Sequence, residues 1–383
     1  MRVIQLITAF QLGGAETVAC NLAVGLADRG HHLIVASIRK PGSVDAVGEE
    51  QKTKLLDAGV GVRELAIGAK ALDMLVCPIR LASLYRNWNA DVVHAHTDIP
   101  DFMVSLAARL KRDMRIARTI HNTELWHTHN RLGRLTETGL TREMVIYLNG
   151  DTLDAYIALR RRYGLEPSTL RNLIKSGIPR QRGTDPIYDR SYLVEHYKAD
   201  IDKCQFGFAG RLTSQKGVDV LLKAVSNLPR SYLAKAQVHI FGDGEESAMV
   251  SQLVRDGDLP VFLHAPEPAV HRLFTAFDCM ILPSRYEASP MVVIESLSQG
   301  VPIIVTSAPG LREAVPRWWP LVAASGDWQA IGSLMKSVID GTLDLADLGQ
   351  RGREWASREH SFARMITQHE DAYQELMDDG PTA

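Results

Sequence analysis

Short apolar runs rich in Val and Ile alternate along the chain with longer segments in which apolar residues recur at helical spacing. This alternation is typical of parallel sheets whose faces are covered by helices. The first series opens with a strand at residues 2–7, a turn at Gly13 and Gly14, and a predicted helix over 15–30 that ends at Gly30. Further strands of this series are predicted at 32–38, 60–67, 91–96, 115–121 and 154–159.

The same pattern starts afresh near Cys204. In this second series a helix is predicted over 214–228, and strands are predicted within 205–212, 236–244, 259–265, 279–284 and 302–307. Between the two series, residues 178–189 are rich in Pro, Gly and charge, which predicts a linker. Helical periodicity over 355–377 predicts a terminal helix, followed by a fraying tail.

Two successive series predict an α/β protein made of two Rossmann-like, doubly wound parallel-sheet domains. We expect an N-terminal domain at 1–180, a C-terminal domain at 181–360, and a C-terminal helix and tail at 361–383 that packs back across the domains. Ligands of doubly wound sheets bind outside the carboxyl ends of the strands. We therefore expect the ligand in a cleft across which the two domains face each other.

Length and composition fit this interpretation. The chain has 383 residues, of which 45% are hydrophobic and 23% charged, close to the averages of globular enzymes. Its four cysteines stand far apart, with no zinc-ligand spacing, which predicts reduced thiols in a cytoplasmic protein. The apolar N-terminus has no cleavage-site pattern, and we interpret it as a buried first strand.

Charge is distributed unevenly along the chain. Residues 1–180 carry 24 Lys and Arg against 18 Asp and Glu, whereas residues 181–383 carry 19 against 27. The cations that stand out in the first half are Arg109, Lys111, Arg112, Arg115, Arg118, Arg160, Arg161 and Arg162. They indicate either a solvated helix face or a surface that meets an anionic membrane or a phosphorylated acceptor. No aromatic-interleaved basic motif accompanies them, so a nucleic-acid partner is not expected.

The strongest local signal for chemistry lies between the predicted strand that ends at Gly210 and the helix after it. Two cations, Arg211 and Lys216, flank this short loop. A helix N-terminus offers free backbone N–H groups and a partial positive charge, so two added cations predict a strong anion site. The arrangement fits a diphosphate, because the planar guanidinium can bind it with two hydrogen bonds while the lysine supplies a mobile point charge.

A second signal is a pair of glutamates, Glu287 and Glu295, separated by seven residues. The first lies in the loop after a predicted strand, and the second lies near the start of the next predicted helix. Carboxylates so placed are natural hydrogen-bond acceptors for the vicinal hydroxyls of a ribose or a hexose.

Taken together and in this order, these motifs resemble glycosyltransferase family 4 of the GT-B superfamily. The resemblance spans nearly the whole chain. It rests on Gly13-Gly14-Ala15-Glu16, Gly210-Arg211-Leu212, Lys216-Gly217, Glu287-x7-Glu295, Gly300-Val301-Pro302 and Gly310…Glu313. It implies a retaining, metal-independent enzyme that moves a hexose-type sugar from a nucleotide diphosphate, UDP-sugar before GDP-sugar, to a glycan or lipid-linked acceptor. Synthesis of cell-surface polysaccharide or glycolipid is the implied setting.

The resemblance also implies a role for single residues. Arg211 and Lys216 would neutralise the donor diphosphate, Glu295 would hold the ribose hydroxyls, and Glu287 would lie beside the donor sugar. His121 is implied to face the donor sugar at the reaction centre. The implied donor site as a whole comprises Gly13, Gly14, Gly210, Arg211, Lys216, Glu287, Ala288, Ser289, Pro290, Met291, Val292 and Glu295, with Arg211, Lys216, Glu287 and His121 as the catalytic set.

Some features depart from the family or stay open. Many relatives carry Gly-Phe-Gly where this chain has 288–290, Ala-Ser-Pro, which leaves the choice of donor open. No D-x-D motif stands at a strand end, and neither a metal nor a cofactor is expected. His94 and His96 either line the acceptor side or are buried for structural reasons. The alternatives to a transferase are a non-catalytic nucleotide-sugar binder and a GT-B sugar epimerase.

Overall fold

The protein is described by a computed structural model. The structure describes every residue except 12, 40–45, 127–128, 180–187, 268 and 380–383. The chain forms two compact units, one made of Met1–Pro179 with Phe362–Ala383 and the other of Arg180–Ser361. Most of the predicted linker at 178–189 and the end of the predicted tail lie outside the described residues.

The first unit is built on a parallel sheet. Its strands are β1 (Arg2–Ile7), β2 (His32–Ser37), β3 (Gly61–Glu64), β4 (Val92–His96), β5 (Ile116–Ile120), β6 (Met144–Tyr147) and β7 (Arg171–Leu173). Their spatial order is β3-β2-β1-β4-β5-β6-β7, and every neighbouring pair is parallel. The order reverses direction at β1, as in a doubly wound sheet. Because helices cover both faces, β4 and β5 are buried along their whole length.

The helices between these strands are α1 (Gly14–Ala27), α2 (Ala46–Asp57), α3 (Lys70–Trp88), α4 (Asp98–Leu110), α5 (Asn130–Gly139) and α6 (Gly150–Arg162). The predicted stop of the first helix is close to the observed one. The last residue of α1 is Ala27, and Gly30 has φ +85° while its N–H donates to the Ala27 carbonyl at 2.9 Å. A left-handed conformation of this kind favours glycine and ends the helix.

One predicted strand is wrong. Residues 154–159 lie inside α6, and the strand in this region is β6, ten residues earlier. The helix begins at a capping box in which the Asn149 side chain accepts from the Thr152 N–H at 2.9 Å and the Thr152 hydroxyl accepts from the Asn149 N–H at 3.2 Å. Satisfying these first N–H groups favours the helix over an extended chain.

The second unit repeats the architecture on a smaller sheet. Its strands are β8 (Cys204–Ala209), β9 (Ala236–Phe241), β10 (Val261–His264), β11 (Cys279–Leu282), β12 (Ile303–Thr306) and β13 (Val322–Ala323). Their order is β10-β9-β8-β11-β12-β13, again all parallel, with the reversal at β8. The two doubly wound sheets confirm the predicted fold class.

The helices of the second unit are α7 (Arg190–Tyr197), α8 (Val218–Ser226), α9 (Arg230–Leu233), α10 (Ser247–Asp256), α11 (Met291–Ser298), α12 (Trp328–Ile339) and α13 (Leu345–Glu359). Short 3-10 helices lie at Ser214–Lys216, Val270–Ala276 and Arg312–Ala314. The helices α8 and α11 begin just after the loops that carry the predicted donor-site residues.

The last helix, α14 (Phe362–Asp378), returns to the first unit. Its buried residues Met365, Ile366 and Tyr373 join the same hydrophobic core as α1. The contact with α1 is close, because a Cβ added at Gly25 would lie 2.5 Å from the Ile366 Cδ1. A residue with no side chain at position 25 therefore permits this packing.

Candidate functional site

The first part of the site is the loop between β8 and α8. It begins at Gly210, whose N–H donates to the Phe241 carbonyl at 3.0 Å. Next to it, a Cβ at Gly242 would lie only 1.9 Å from the Gly210 carbonyl oxygen, so the ends of β8 and β9 are in backbone contact. Arg211 follows at the carboxyl end of β8 and is exposed. Among the described residues, its guanidinium has no hydrogen-bond or ion-pair partner.

Lys216 ends the short 3-10 helix and is followed by Gly217, which has φ +66° and precedes α8. A Cβ at Gly217 would lie 2.3 Å from the Pro283 carbonyl oxygen, so this loop packs directly on the loop after β11. The Lys216 ammonium group lies 2.6 Å from Oε1 of Glu287. The structure thus brings together the lysine and the first glutamate that the sequence predicted.

Glu287 is the central acceptor of this cluster. Its Oε1 also accepts a hydrogen bond from the Ser284 hydroxyl at 2.7 Å, and the residue is 5% exposed. Thr306 in turn donates to the Ser284 carbonyl at 2.6 Å. The carboxylate is therefore held by a cation and a hydroxyl in a nearly dry environment, where charge-assisted hydrogen bonds are strong.

A second ion pair stabilises the loop that contains Lys216. The Arg285 guanidinium binds the Asp219 carboxylate with two contacts of 2.9 and 2.7 Å and donates to the Ser214 carbonyl at 2.6 Å. This hydrogen bonding lowers the pKa of Asp219. Sequence reasoning missed Arg285 and Ser284, although both stand within three residues of the predicted Glu287.

The remaining predicted donor residues surround the start of α11. Ala288 and Ser289 precede it, Pro290 is its N-cap residue, and Met291 and Val292 form its first two positions. The second predicted glutamate, Glu295, is the fifth residue of α11 and is half-buried.

The loop after β12 holds the backbone of Glu287. The Glu287 N–H donates to the Pro309 carbonyl at 2.9 Å. Gly310 has φ +77°, and a Cβ there would lie 1.7 Å from the Glu287 carbonyl oxygen. Only glycine tolerates both this conformation and this contact. This explains why the Gly310…Glu313 motif begins with a glycine.

In the first unit, the predicted glycines lie at the start of α1. Gly13 is the N-cap residue and Gly14 the first helical residue, exposed to solvent. A Cβ at Gly13 would lie 2.1 Å from Oε2 of Glu16, so this carboxylate lies against the loop backbone. The backbone at Gly14 is accessible to solvent.

The predicted His121 directly follows β5, is half-buried, and ends a series of hydrogen bonds that leads into the interior of the first unit. Its Nε2 lies 3.0 Å from Nδ1 of His96, whose Nε2 lies 2.7 Å from Oε1 of Gln5. The Gln5 amide nitrogen donates to the Tyr373 hydroxyl at 3.1 Å. Burial lowers the pKa of His121 to about 3 and that of His96 well below its usual range, so both rings are neutral near pH 7.

The two histidines left open by the sequence, His94 and His96, are completely or almost completely buried. His94 bonds the Tyr373 hydroxyl and the Thr119 hydroxyl, each at 2.7 Å. Both side chains are therefore buried, as the structural alternative expected. No sequence signal pointed to Gln5 or Tyr373, because they are 368 residues apart.

The interpretation of the basic stretch needs a correction. Arg118 and Arg160 are buried, and neither belongs to a solvated or membrane-facing surface. Arg118 lies 2.9 Å from both the Asp101 and Glu137 carboxylates, and Arg160 pairs with Glu137 at 3.3 Å. A buried guanidinium is retained when carboxylates neutralise it, and the sequence pattern did not show these partners.

The described part of the chain contains no cluster of His, Cys, Asp and Glu that could hold a metal ion. None of its helices is long and apolar enough to span a bilayer. All four cysteines are free thiols.

Comparisons with known proteins cover both units. The family described as Glycosyltransferase Family 4 matches residues 12–171, and the family described as Glycosyl transferases group 1 matches residues 194–355. The N-acetyl-alpha-D-glucosaminyl L-malate synthase of Bacillus anthracis is 22% identical over 376 residues, which is 96% of this chain and 95% of that protein.

Solved structures resemble the whole fold. Anabaena Alr3699/HepE in complex with UDP-glucose has a TM-score of 0.80 at 18% identity and covers 99% of this chain and 100% of its own. The sucrose-phosphate synthase of Thermosynechococcus elongatus has a TM-score of 0.78 at 17% identity, with coverages of 99% and 100%. At these identities the likeness shows the fold.

Proposed function

We infer the reaction of this chain from its family, because the chain belongs to glycosyltransferase family 4 and has the GT-B fold. It is a glycosyltransferase. The donor that we propose is a nucleoside diphosphate sugar, with a UDP-hexose favoured over a GDP-hexose. The complex of Alr3699/HepE with UDP-glucose supports this choice of donor.

The observation that carries the proposal is the cluster of Lys216, Glu287 and Ser284 at the carboxyl ends of β8 and β11, with the exposed Arg211 in the same loop as Lys216. In a doubly wound sheet this is the edge where ligands bind. Arg211 would bind the diphosphate with its planar fork, and Lys216 would supply positive charge as the bond to the sugar breaks.

The ion pair with Glu287 supports this role of Lys216. The carboxylate holds the ammonium group in one place before the donor arrives, and a charge fixed in advance needs no reorganisation when the transition state forms. We propose that Glu287 also faces the donor sugar and that Glu295 binds the ribose hydroxyls. Because two cations can neutralise the departing diphosphate, we propose that the reaction needs no metal. From the family to which the chain belongs, we propose that the sugar keeps its anomeric configuration.

From the first unit, we propose that the open backbone at Gly14 meets the phosphates and that His121 contacts the donor sugar. The acceptor that we propose is a glycan or a lipid-linked glycan of a cell-surface polysaccharide or glycolipid. Free thiols agree with a cytoplasmic enzyme. The exposed Arg109, Arg112 and Arg161 support peripheral contact with anionic lipid at the inner face of the membrane.

The test is a panel of UDP-, GDP- and ADP-sugars incubated with the purified protein, with and without EDTA, while release of the nucleoside diphosphate is measured. Lys216→Ala should lower turnover by about 100-fold, since loss of a contact to the leaving charge costs about 3 kcal/mol in the transition state. Lys223→Ala is the matched control, because this exposed lysine on α8 lies over the Trp328 ring and away from Glu287.

Failure of every nucleotide sugar to bind or to release its nucleotide would contradict the proposal. An equal loss in Lys216→Ala and Lys223→Ala would contradict the role of the cluster. The anomeric proton signals of the product decide retention. Vesicles with anionic lipid should sediment the protein at low salt, whereas neutral vesicles should not.

A further inference from the structure

A chain of hydrogen bonds crosses three neighbouring strands of the first unit and ends at His121. It runs from Gln5 on β1 to His96 on β4 and then to His121 after β5. Gln5 and His96 are fully or almost fully buried, and no other described group bonds the ring nitrogens of His96. Each of these hydrogen bonds must therefore have one donor and one acceptor. The donor and acceptor roles at Gln5 then determine those at His96 and at His121.

The direction of the chain follows from the amide group. The Gln5 Nε2 donates to the Tyr373 hydroxyl, so its Oε1 is the atom that faces His96 and can only accept. His96 therefore carries its proton on Nε2, and because burial keeps this ring neutral by lowering its pKa, its Nδ1 is a bare acceptor. The partner at 3.0 Å, Nε2 of His121, must then be the donor.

We propose that Gln5 and His96 are positioning residues that fix the proton of His121 on Nε2 and so present its Nδ1 as a bare hydrogen-bond acceptor. This Nδ1 has no hydrogen-bond partner among the described residues, and it is not one of their buried unsatisfied atoms, so it reaches solvent. A bare imidazole nitrogen accepts a hydrogen bond from a sugar hydroxyl. The inference deepens the proposed function of His121 and rests on it.

The second unit contains the same three residue types in a chain of the same direction. His264 Nε2 lies 3.0 Å from Nδ1 of His239, whose Nε2 lies 3.0 Å from Oε1 of Gln205. Here the amide orientation is fixed by the backbone, since Gln205 Nε2 donates to the carbonyls of Asp200 and Lys203 at 2.8 and 3.2 Å. This chain therefore provides an internal reference for the first one.

The experiment is NMR of the full-length protein labelled with 15N-histidine, in which protonated and bare ring nitrogens have different chemical shifts. His121→Asn assigns the signals of His121 by their disappearance. In the wild type we expect the proton on Nε2 of His121 and a bare Nδ1. A His121 ring with its proton on Nδ1 in the wild type overturns the proposal without the need for any variant of Gln5.

Gln5→Met is the decisive substitution, since it keeps the side-chain volume and removes the acceptor of His96. An unpaired buried N–H is more costly than a bare acceptor, so the His96 proton should move to Nδ1 and force the His121 proton from Nε2 to Nδ1. Gln205→Met is the matched control and should move the proton of His264 while the His121 signals stay in place. An unchanged His121 tautomer in folded Gln5→Met overturns the proposal.

Turnover of a nucleotide sugar is the second readout. Gln5→Met should lower kcat on the order of 10-fold, as expected when a partner that orients a contacting imidazole is lost. Tautomer change without loss of turnover overturns the role in the reaction. A wild type that turns over no nucleotide sugar contradicts the proposed function instead, and the NMR signals still decide the direction of the chain.

Discussion

Removing Lys216 should destabilise the second unit because it leaves a buried carboxylate without its cation. The perturbation is Lys216→Met, which keeps most of the aliphatic stem and removes the charge. The ammonium group lies 2.6 Å from Glu287, and the side chains of the pair are 15% and 6% exposed. In the variant, the Ser284 hydroxyl is the only group among the described residues that still donates a hydrogen bond to Oε1 of Glu287.

The magnitude follows from the burial of the pair. Breaking a fully buried ion pair costs about 3–5 kcal/mol, whereas an exposed pair contributes about 0–1 kcal/mol. Because Lys216 and Glu287 keep limited exposure, we expect the cost for this pair to lie just below the fully buried range, at about 2–3 kcal/mol. The double variant Lys216→Met with Glu287→Gln should regain most of this loss, because the neutral amide no longer needs a cation.

The assay is urea unfolding of the wild type, both single variants and the double variant, from which the coupling energy is obtained. Lys203→Met is the matched control, since its pair with Asp200 spans 3.6 Å and is 32% and 42% exposed. It should cost less than about 1 kcal/mol. An equal loss in Lys216→Met and Lys203→Met, or no recovery in the double variant, would refute the reasoning.

Three further outcomes are expected. Gly310→Ala should lower both stability and turnover, because its Cβ would lie 1.7 Å from the Glu287 carbonyl oxygen. Gly326→Ala is the control, since Gly326 has a similar φ of +79° but open space around it. In a thermal melt this control should cost only about 1 kcal/mol. Arg118→Leu should lower the free energy of unfolding by about 3–5 kcal/mol, since it leaves the buried Asp101 unpaired; unchanged urea midpoints would contradict this. Because burial lowers the pKa of His121 from about 6.5 to about 3, only the unfolded chain takes up this proton as the pH falls below about 6.5, so stability measured in urea should decrease towards pH 4 and not increase.

The sequence was sufficient where local pattern decides the structure. Runs of β-branched residues marked the buried strands of both sheets, because strands covered on two faces need apolar residues at every position. Very short strands leave too little pattern to be predicted, as β13 has two residues and β7 has three. The error at 154–159 had a local remedy, since Asn149 followed by Thr152 is the capping pattern that begins α6.

Side-chain partners distant in the chain were beyond the sequence. Arg118 was interpreted as one of the surface cations. The sequence around it contains no pattern that indicates burial or its pairing with Asp101 and Glu137. The hydroxyl of Tyr373, which fixes Gln5, comes from the last helix of the unit. A local pattern contains residue type and spacing, whereas these contacts depend on how distant elements pack.

The loops of the second unit also explain why glycines stand beside the charged residues of each motif. Gly217 touches the Pro283 carbonyl, and Gly310 touches the Glu287 carbonyl, in both cases with a left-handed φ. The positions of Lys216 and Glu287 are therefore set by contacts between backbones as well as by the attraction of their charges. Such contacts leave no room for a Cβ. Replacing Gly217 or Gly310 by alanine should therefore displace the Lys216–Glu287 ion pair while both of its charges are still present.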